Sequence, residues 1–190
     1  MGMDHNSTFV YAAQRRIVEF LKENYPLVKK ISYVSDGAAS HFKNNNTIKN
    51  LIYHKKDFGL QTAWTFSAAG HGKSQCDGIG ATVKATATRA ALQGSSGANI
   101  QTALDFWNFT FDANDRSDLN EPSPIESYFM PTERVDKLFR EKLEKRWKDD
   151  ANIKLTGIRK YHQFTSLPDG RLSCRTVFTS SKEFYFRFKS

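Results

Sequence analysis

The alternation of short strand-like runs with helical stretches in the first half of the chain restricts its fold most strongly. Residues 30–35 and 61–69 have the pattern of short strands, and residues 38–54 and 76–93 have the spacing of helices. Strands that alternate with helices usually form a sheet with helices packed on it. The sequence therefore predicts an α/β fold in which the two strands are parallel neighbours, joined by the helix that begins at Ala38.

Helical patterns also occur on both sides of this region. Apolar residues recur at helical spacing in residues 8–24, and Pro26 follows where a helix would end. The side chains expected to face the core from this first helix are Phe9, Ala13, Ile17, Phe20 and Leu21. A later helix is predicted at residues 131–149, where Pro131 suits the first turn. Its expected apolar stripe consists of Val135, Leu138, Phe139, Leu143 and Trp147.

The C-terminal region predicts an antiparallel β segment with strands at residues 158–166, 171–179 and 183–189. Pro168-Asp169-Gly170 is a strong turn signal between the first two. Four aromatic residues of this segment could stack on bases, although alternating aromatic residues in strands more often belong to a core. They are Tyr161, Phe164, Tyr185 and Phe186.

Three regions are expected from these patterns. Residues 1–94 would form the α/β core, and residues 95–124 a linker with a short helix at residues 100–109. Residues 125–190 would add the later helix and the β segment, packed on the same core.

The charge and composition of the chain indicate the kind of partner. The 190 residues carry a formal net charge of +8, which favours polyanions such as nucleic acid. No apolar run approaches the roughly 20 residues that cross a bilayer, and the N-terminus does not resemble a secretory signal. Two cysteines cannot form a disulfide framework. We therefore expect an intracellular protein of the nucleus or cytoplasm without a membrane partner.

Two Asp-Gly pairs, Asp36-Gly37 and Asp77-Gly78, follow the two predicted strands. Carboxylates at the ends of neighbouring strands suit a divalent-metal site for phosphoryl transfer, because Mg²⁺ and Mn²⁺ prefer oxygen ligands. Each aspartate also fits a simpler role as a helix cap. Gly78 and Gly80 are poor helix residues, and they suggest the close approach of another backbone or of a ligand.

Basic and polar residues beside these pairs are candidates for contacts with nucleic acid. The loop at residues 70–74 lies between a strand and a helix, the setting in which backbone N–H groups bind phosphate. It lacks the full glycine pattern of a nucleotide-binding loop. Basic and amide side chains can contact phosphates or base edges. The expected nucleic-acid-binding residues are Lys43, Asn44, His71, Lys73 and Lys84.

These motifs resemble those of a family of largely uncharacterised invertebrate proteins derived from transposable elements. The similar segments include SDGAASHFKN at residues 35–44 and HGKSQCDGIGATVK at residues 71–84. The resemblance implies a partial RNase H-like core of the transposase type, in which three carboxylates hold two metal ions. Asp36 would match the second carboxylate and Asp77 the third. The first lies on an earlier strand in such cores, whereas this chain opens with a helix.

The resemblance thus implies a truncated or domesticated transposase-derived domain that binds nucleic acid, with DNA favoured. Asp36 and Asp77 would be its remaining catalytic and metal-binding residues. Without the first carboxylate, two-metal nuclease or strand-transfer chemistry is expected to be incomplete. The alternative is a protein-interaction or regulatory module that kept the fold after losing the site, with a protein partner or a second copy of itself.

Overall fold

The computed structural model describes residues 3–67, 75–93, 99–115, 125–150, 154–177 and 179–187. The chain forms two compact units. The first consists of Met1–Gly72 and Thr132–Ser190, and the second of Lys73–Pro131.

Helices and strands of the first unit follow the predicted order, with shifted boundaries. The helices are α1 (Met3–Asn24), α2 (Asn45–Phe58), α5 (Thr132–Leu138) and α6 (Glu144–Asp149), and a π-helical turn, Phe139–Leu143, connects the last two. The strands are β1 (Lys30–Ser35), β2 (Gln61–Phe66), β3 (Gln163–Ser166), β4 (Arg171–Arg175) and β5 (Phe184–Arg187). The second unit contains α3 (Gln75–Leu92) and α4 (Ala103–Asp115).

The described strands form one sheet in the order β1-β2-β3-β4-β5. Strands β1 and β2 are parallel, and every later pair is antiparallel. The predicted α/β class and the parallel pairing are therefore confirmed. Tyr33 pairs with Trp64, which pairs with Phe164, so the C-terminal strands extend the same sheet.

Helix α2 begins seven residues later than predicted, at Asn45 instead of Ala38. Residues before it form a turn in which the N–H groups of Phe42 and Lys43 donate to the Ala38 carbonyl. Asn44 then adopts an extended conformation, and its side chain accepts a hydrogen bond from the Thr47 N–H at 2.9 Å. This cap determines the start of the helix, because an asparagine side chain satisfies one of the free N–H groups of the first turn.

Helix α1 is rotated relative to the prediction. Phe9 and Ile17, which were expected to be buried, are 53% and 45% exposed. The buried side consists of Ser7, Thr8, Val10, Tyr11, Ala12, Gln14 and Val18. The Tyr11 hydroxyl donates to Asp57 Oδ2 at 2.9 Å, and its ring packs on Phe58. These contacts with α2 place a face of α1 that contains several polar residues against the rest of the unit.

The predicted helix at residues 131–149 forms with one irregularity. Its π-helical turn adds a residue between Leu138 and Leu143, which are separated by five positions. The wider turn keeps both leucines, together with Val135 and Trp147, on the buried side. The apolar stripe was therefore predicted correctly for these four residues.

The C-terminal strands are shorter than predicted. Residues 158–160 form a 3₁₀ turn instead of the start of a strand, and β4 ends at Arg175. The predicted turn between β3 and β4 is confirmed. Gly170 has φ +80° there, and its N–H donates to the Leu167 carbonyl. Only glycine adopts this backbone conformation without strain.

The core of the first unit lies between one face of the sheet and helices α1 and α2. Its buried residues are Val10, Ile48, Leu51, Trp64, Phe66, Leu155, Phe164, Leu172 and Cys174. In the second unit, Thr102 and Asp105 cap α4 by exchanging side-chain-to-backbone hydrogen bonds. None of the described helices is long and apolar enough to cross a membrane.

Candidate nucleic-acid interface

The sheet has a second face, opposite the core. Successive side chains of a strand point to opposite faces, and the register aligns the alternate residues across all strands. The strand residues that alternate with the core-facing residues therefore form a second face, which we call the outer face. It consists of Lys30, Ser32, Val34, Gln61, Ala63, Thr65, Gln163, Thr165, Arg171, Ser173, Arg175, Tyr185 and Arg187.

The outer face is polar and basic, in contrast to the aromatic core face. Lys30, Ser32, Gln61 and Arg187 are exposed, and Arg171 and Arg175 are half-buried. Its two large apolar or aromatic exposed residues are Val34, 72% exposed, and Tyr185, 53% exposed. Small residues occupy the centre, where Ala63 pairs with Thr165 and Thr165 pairs with Ser173. This composition suits contact with a charged partner.

Glu183, at the start of β5, organises one end of the outer face. Its carboxylate accepts hydrogen bonds from Tyr185 at 2.6 Å and from Ser173 at 2.8 Å, and it forms an ion pair with Arg175. The hydrogen bonds from Tyr185, Arg175 and Ser173 lower the pKa of Glu183 to about 2. The carboxylate is therefore charged at neutral pH and holds the side chains around it in place.

Arg171 lies on the other side of Tyr185. Its Nε donates to Asp169 Oδ2 at 2.6 Å, and its guanidinium carbon lies 5.1 Å from the centroid of the Tyr185 ring. A guanidinium at this distance from an aromatic ring is attracted by the negative face of the ring. Tyr185 is exposed and Arg171 half-buried, so the pair is partly accessible to solvent.

Asp36, the first predicted metal ligand, follows β1 and is exposed. Its Oδ1 accepts a hydrogen bond from the Ala38 N–H at 3.0 Å, which is a local turn of the kind aspartate commonly forms. Because α2 starts at Asn45, Asp36 does not cap a helix. The alternative cap role proposed for this residue is therefore wrong.

Lys43 and Asn44 occupy structural positions. Lys43 is only 7% exposed, its ammonium donates to the Arg159 carbonyl at 3.1 Å, and burial lowers its pKa. Asn44 caps α2 and also donates to the Ala39 carbonyl. Since both side chains are committed within the fold, we place neither of them in the interface.

The remaining predicted residues belong to the second unit or lie outside the described residues. Asp77 is in the first turn of α3, and Lys84 is exposed on the same helix. His71 and Lys73 are outside the described residues. Asp36 and Asp77 are in different units, and their expected shared cation site stays a prediction.

Two further expectations concern the glycines of α3 and the residues that would bind a metal ion. A Cβ added at Gly78 or Gly80 would meet no described atom within 4 Å. No described backbone therefore approaches these glycines closely, and the expected approach of a ligand stays a prediction. Among the described residues, no group of three or more His, Cys, Asp or Glu could hold a metal ion. These residues do not fit a complete two-metal site, and we derive no chemical step through one.

The structure separates the four aromatic candidates of the C-terminal segment. Phe164 is fully buried, and Tyr161 packs against Phe184 and Phe186. Tyr185 alone among the four is exposed on the outer face. The arginines on both sides of it were not predicted. The alternation of polar and apolar residue types in Arg171-Leu-Ser-Cys-Arg175 was the available signal.

Comparison with known proteins identifies a family-level similarity. A family model described as a domain of unknown function, DUF8701, matches residues 2–178. Neither the curated proteins nor the solved structures give a match. The matched range includes all described helices and strands except β5.

Proposed function

The chain belongs to the DUF8701 family, and we propose that it is a nucleic-acid-binding domain that contacts its ligand through the outer face. The observation that carries this proposal is the set of basic side chains on the sheet face opposite the core. Lys30 and Arg187 are exposed at its edges, and Arg171 and Arg175 are half-buried, whereas its central residues Ala63 and Ser173 are buried. Phosphate contacts by such side chains release counterions, which supplies most of the affinity of sequence-independent binding.

The arginines of the outer face retain hydrogen-bonding capacity for phosphate. A guanidinium has five N–H donors, and Arg175 uses its Nε and Nη2 groups on Glu183. The ion pairs with Glu183 and Asp169 reduce the positive potential but orient the two arginines. Lys30 and Arg187, exposed on opposite edge strands, extend the charge across the sheet.

We further propose that the domain is a truncated or domesticated transposase derivative with part of an RNase H-like core. Support comes from the order of a strand, a terminal aspartate, a helix and a parallel strand, which the family resemblance implies. Asp36 and Asp77 would be its remaining carboxylates for Mg²⁺ or Mn²⁺. Binding without complete two-metal catalysis is the expected activity, with DNA favoured.

Salt dependence of binding tests the proposed interface. Fluorescence anisotropy with labelled oligonucleotides would compare the wild type with the double variant Lys30→Gln/Arg187→Gln. We expect weaker binding and a salt slope reduced by up to about two units. The matched control is Lys137→Gln/Lys148→Gln, which removes the same charge from exposed helical positions. Equal losses in both variants, or no binding at low salt, would contradict the interface.

A nuclease assay tests the incomplete catalytic site. Labelled single- and double-stranded DNA and RNA would be incubated with the protein and Mg²⁺ or Mn²⁺, and intact substrate is the expected result. Cleavage that disappears in Asp77→Asn would show that the site is complete.

The second candidate function is self-association through α1. Phe9 and Ile17 are eight residues apart on α1, roughly 80° apart around its axis, and both are exposed. Two exposed apolar side chains within one half of a helix surface could contribute to pairing with a second copy. Sedimentation would detect a dimer that persists at high salt and is lost in Phe9→Ser/Ile17→Ser, whereas a monomer at all concentrations would exclude it.

A further inference from the structure

We infer that the outer face prefers single-stranded nucleic acid over duplex, with a base stacked on Tyr185 and neighbouring phosphates bound by Arg171 and Arg175. This inference rests on the proposed function and specifies its ligand. It depends on the exposure of one aromatic ring, on the side chains that orient this ring, and on the spacing of the two arginines.

Tyr185 is held in a fixed position on the face. Its neighbours in β5, Phe184 and Phe186, point to the core side and pack on Tyr161. Their ring centroids lie 5.5 and 5.7 Å, respectively, from the centroid of the Tyr161 ring. The Tyr185 hydroxyl donates to Glu183 at 2.6 Å. The backbone and the hydroxyl of Tyr185 are thus both restrained while 53% of the residue stays exposed. A restrained aromatic residue loses little conformational entropy when a base stacks on it.

Arg171 and Arg175 lie on both sides of this ring. Ser173 pairs with Tyr185, so the ring lies opposite the midpoint between the two arginines on β4. Four residues along a strand separate the arginines by about 13 Å at the backbone. A base on Tyr185 would therefore have an arginine on each side for the phosphates that precede and follow it.

An exposed tyrosine in this arrangement favours unpaired bases. Bases in a duplex are stacked on one another, and a base must leave the helix before a protein side chain can cover its face. In a single strand the base faces are free, and they stack on aromatic rings or guanidinium planes. The Arg171 guanidinium lies over one face of the Tyr185 ring, 5.1 Å from its centroid. A base can therefore stack on the guanidinium or on the ring face that Arg171 does not cover.

The experiment compares a 12-nucleotide single strand with the duplex of the same sequence, using anisotropy at several salt concentrations. We expect the single strand to bind at least tenfold more tightly. Tyr185→Leu should weaken single-strand binding about tenfold without changing the salt slope, because stacking involves no counterion release. Tyr185→Phe keeps the ring but loses the hydrogen bond to Glu183, so its affinity should lie between those of the wild type and Tyr185→Leu. Duplex binding should not change in either variant.

The matched control is Tyr25→Leu, which removes a tyrosine of similar exposure, 57%, from the same unit. Circular dichroism would verify that each variant is folded. A single strand carrying 2-aminopurine should show fluorescence quenching with the wild type and not with Tyr185→Leu.

Three outcomes separate the inference from the proposed function. Duplex binding equal to or tighter than single-strand binding, or an equal effect of Tyr185→Leu on both ligands, would overturn the inference alone. Absence of binding to either ligand would overturn the proposed function as well.

Discussion

Arg146 in α6 forms a bidentate ion pair with Asp57 in α2, with both N–O distances 2.8 Å. The side chains are only 13% and 9% exposed. The Tyr11 hydroxyl donates to the same carboxylate, and the Arg146 guanidinium lies 4.4 Å from the centroid of the Tyr53 ring. Asp57 and Arg146 are 89 positions apart in the chain. Together with Tyr11, the pair therefore connects α1, α2 and α6.

Removing one partner of this pair should destabilise the fold strongly. Arg146→Met leaves Asp57 buried without its counter-charge, and we expect the free energy of unfolding to fall by about 3–5 kcal/mol. Urea denaturation measures the change. The control Lys148→Met removes an exposed pair with Glu144, and it should cost less than about 1 kcal/mol. The double variant Arg146→Met/Asp57→Leu should recover part of the loss, and similar effects of both single variants would contradict a buried role.

The stability of the first unit should decrease below neutral pH because of His54. This residue is 1% exposed, with Nδ1 2.9 Å from the Leu60 carbonyl and Nε2 3.0 Å from the Tyr33 hydroxyl. The neutral ring donates from Nδ1 and accepts at Nε2, and burial lowers its pKa.

The sign of this effect follows from proton binding. The unfolded chain binds a proton at His54 near pH 6.5, whereas the folded chain binds it only at lower pH. The free energy of unfolding should therefore decrease as the pH falls from about 6.5 to the folded pKa. Urea titrations between pH 7 and 5 should show a smaller decrease for His54→Gln than for the wild type. An unchanged pH dependence would contradict this assignment.

Lys43→Met should leave nucleic-acid affinity within about twofold of the wild type. The ammonium of Lys43 is buried against the Arg159 carbonyl and lies 5.5 Å from the Phe66 ring centroid, so it cannot reach a phosphate while the fold is intact. Anisotropy at low salt measures the affinity, and Lys30→Met is the exposed comparison. A reduced salt slope in folded Lys43→Met would instead place this lysine in the interface.

Glu183→Gln should strengthen nucleic-acid binding severalfold. The substitution removes a negative charge from the outer face and frees Arg175 from its ion pair. An additional phosphate contact would raise the salt slope by about one unit. Glu126→Gln, which changes the same charge in the second unit, is the control. Weaker binding by folded Glu183→Gln would mean that the orientation of Arg175 and Tyr185 by Glu183 matters more for affinity than the release of Arg175 from its ion pair.

Local chemistry explains what the sequence predicted well. The strand Lys30–Ser35 and the turn at Gly170 depend on a few neighbouring residues. The parallel pairing of β1 and β2 follows from the helix between them. This helix returns the chain to the end of the sheet at which β1 begins, so that β2 runs in the same direction.

The candidate site depended more on distant contacts. Tyr185 and Phe186 have similar side chains, and only the register against Ser173 and Leu172 decides which of them is exposed. Lys43 resembles a phosphate ligand in the sequence, yet its ammonium donates to the Arg159 carbonyl, 116 residues away in the chain. Its role could not be derived from its neighbours.

The sequence by itself determined the order of strands and helices, their turns and the positive charge of this protein, because these depend on residue type and short-range spacing. The tertiary structure decided which side of each element is buried. For α1, the hydrogen bond from Tyr11 to Asp57 and the ion pair of Asp57 with Arg146 turned Phe9 outward. Such contacts join residues far apart in the chain, and they outweigh the apolar spacing within a single helix.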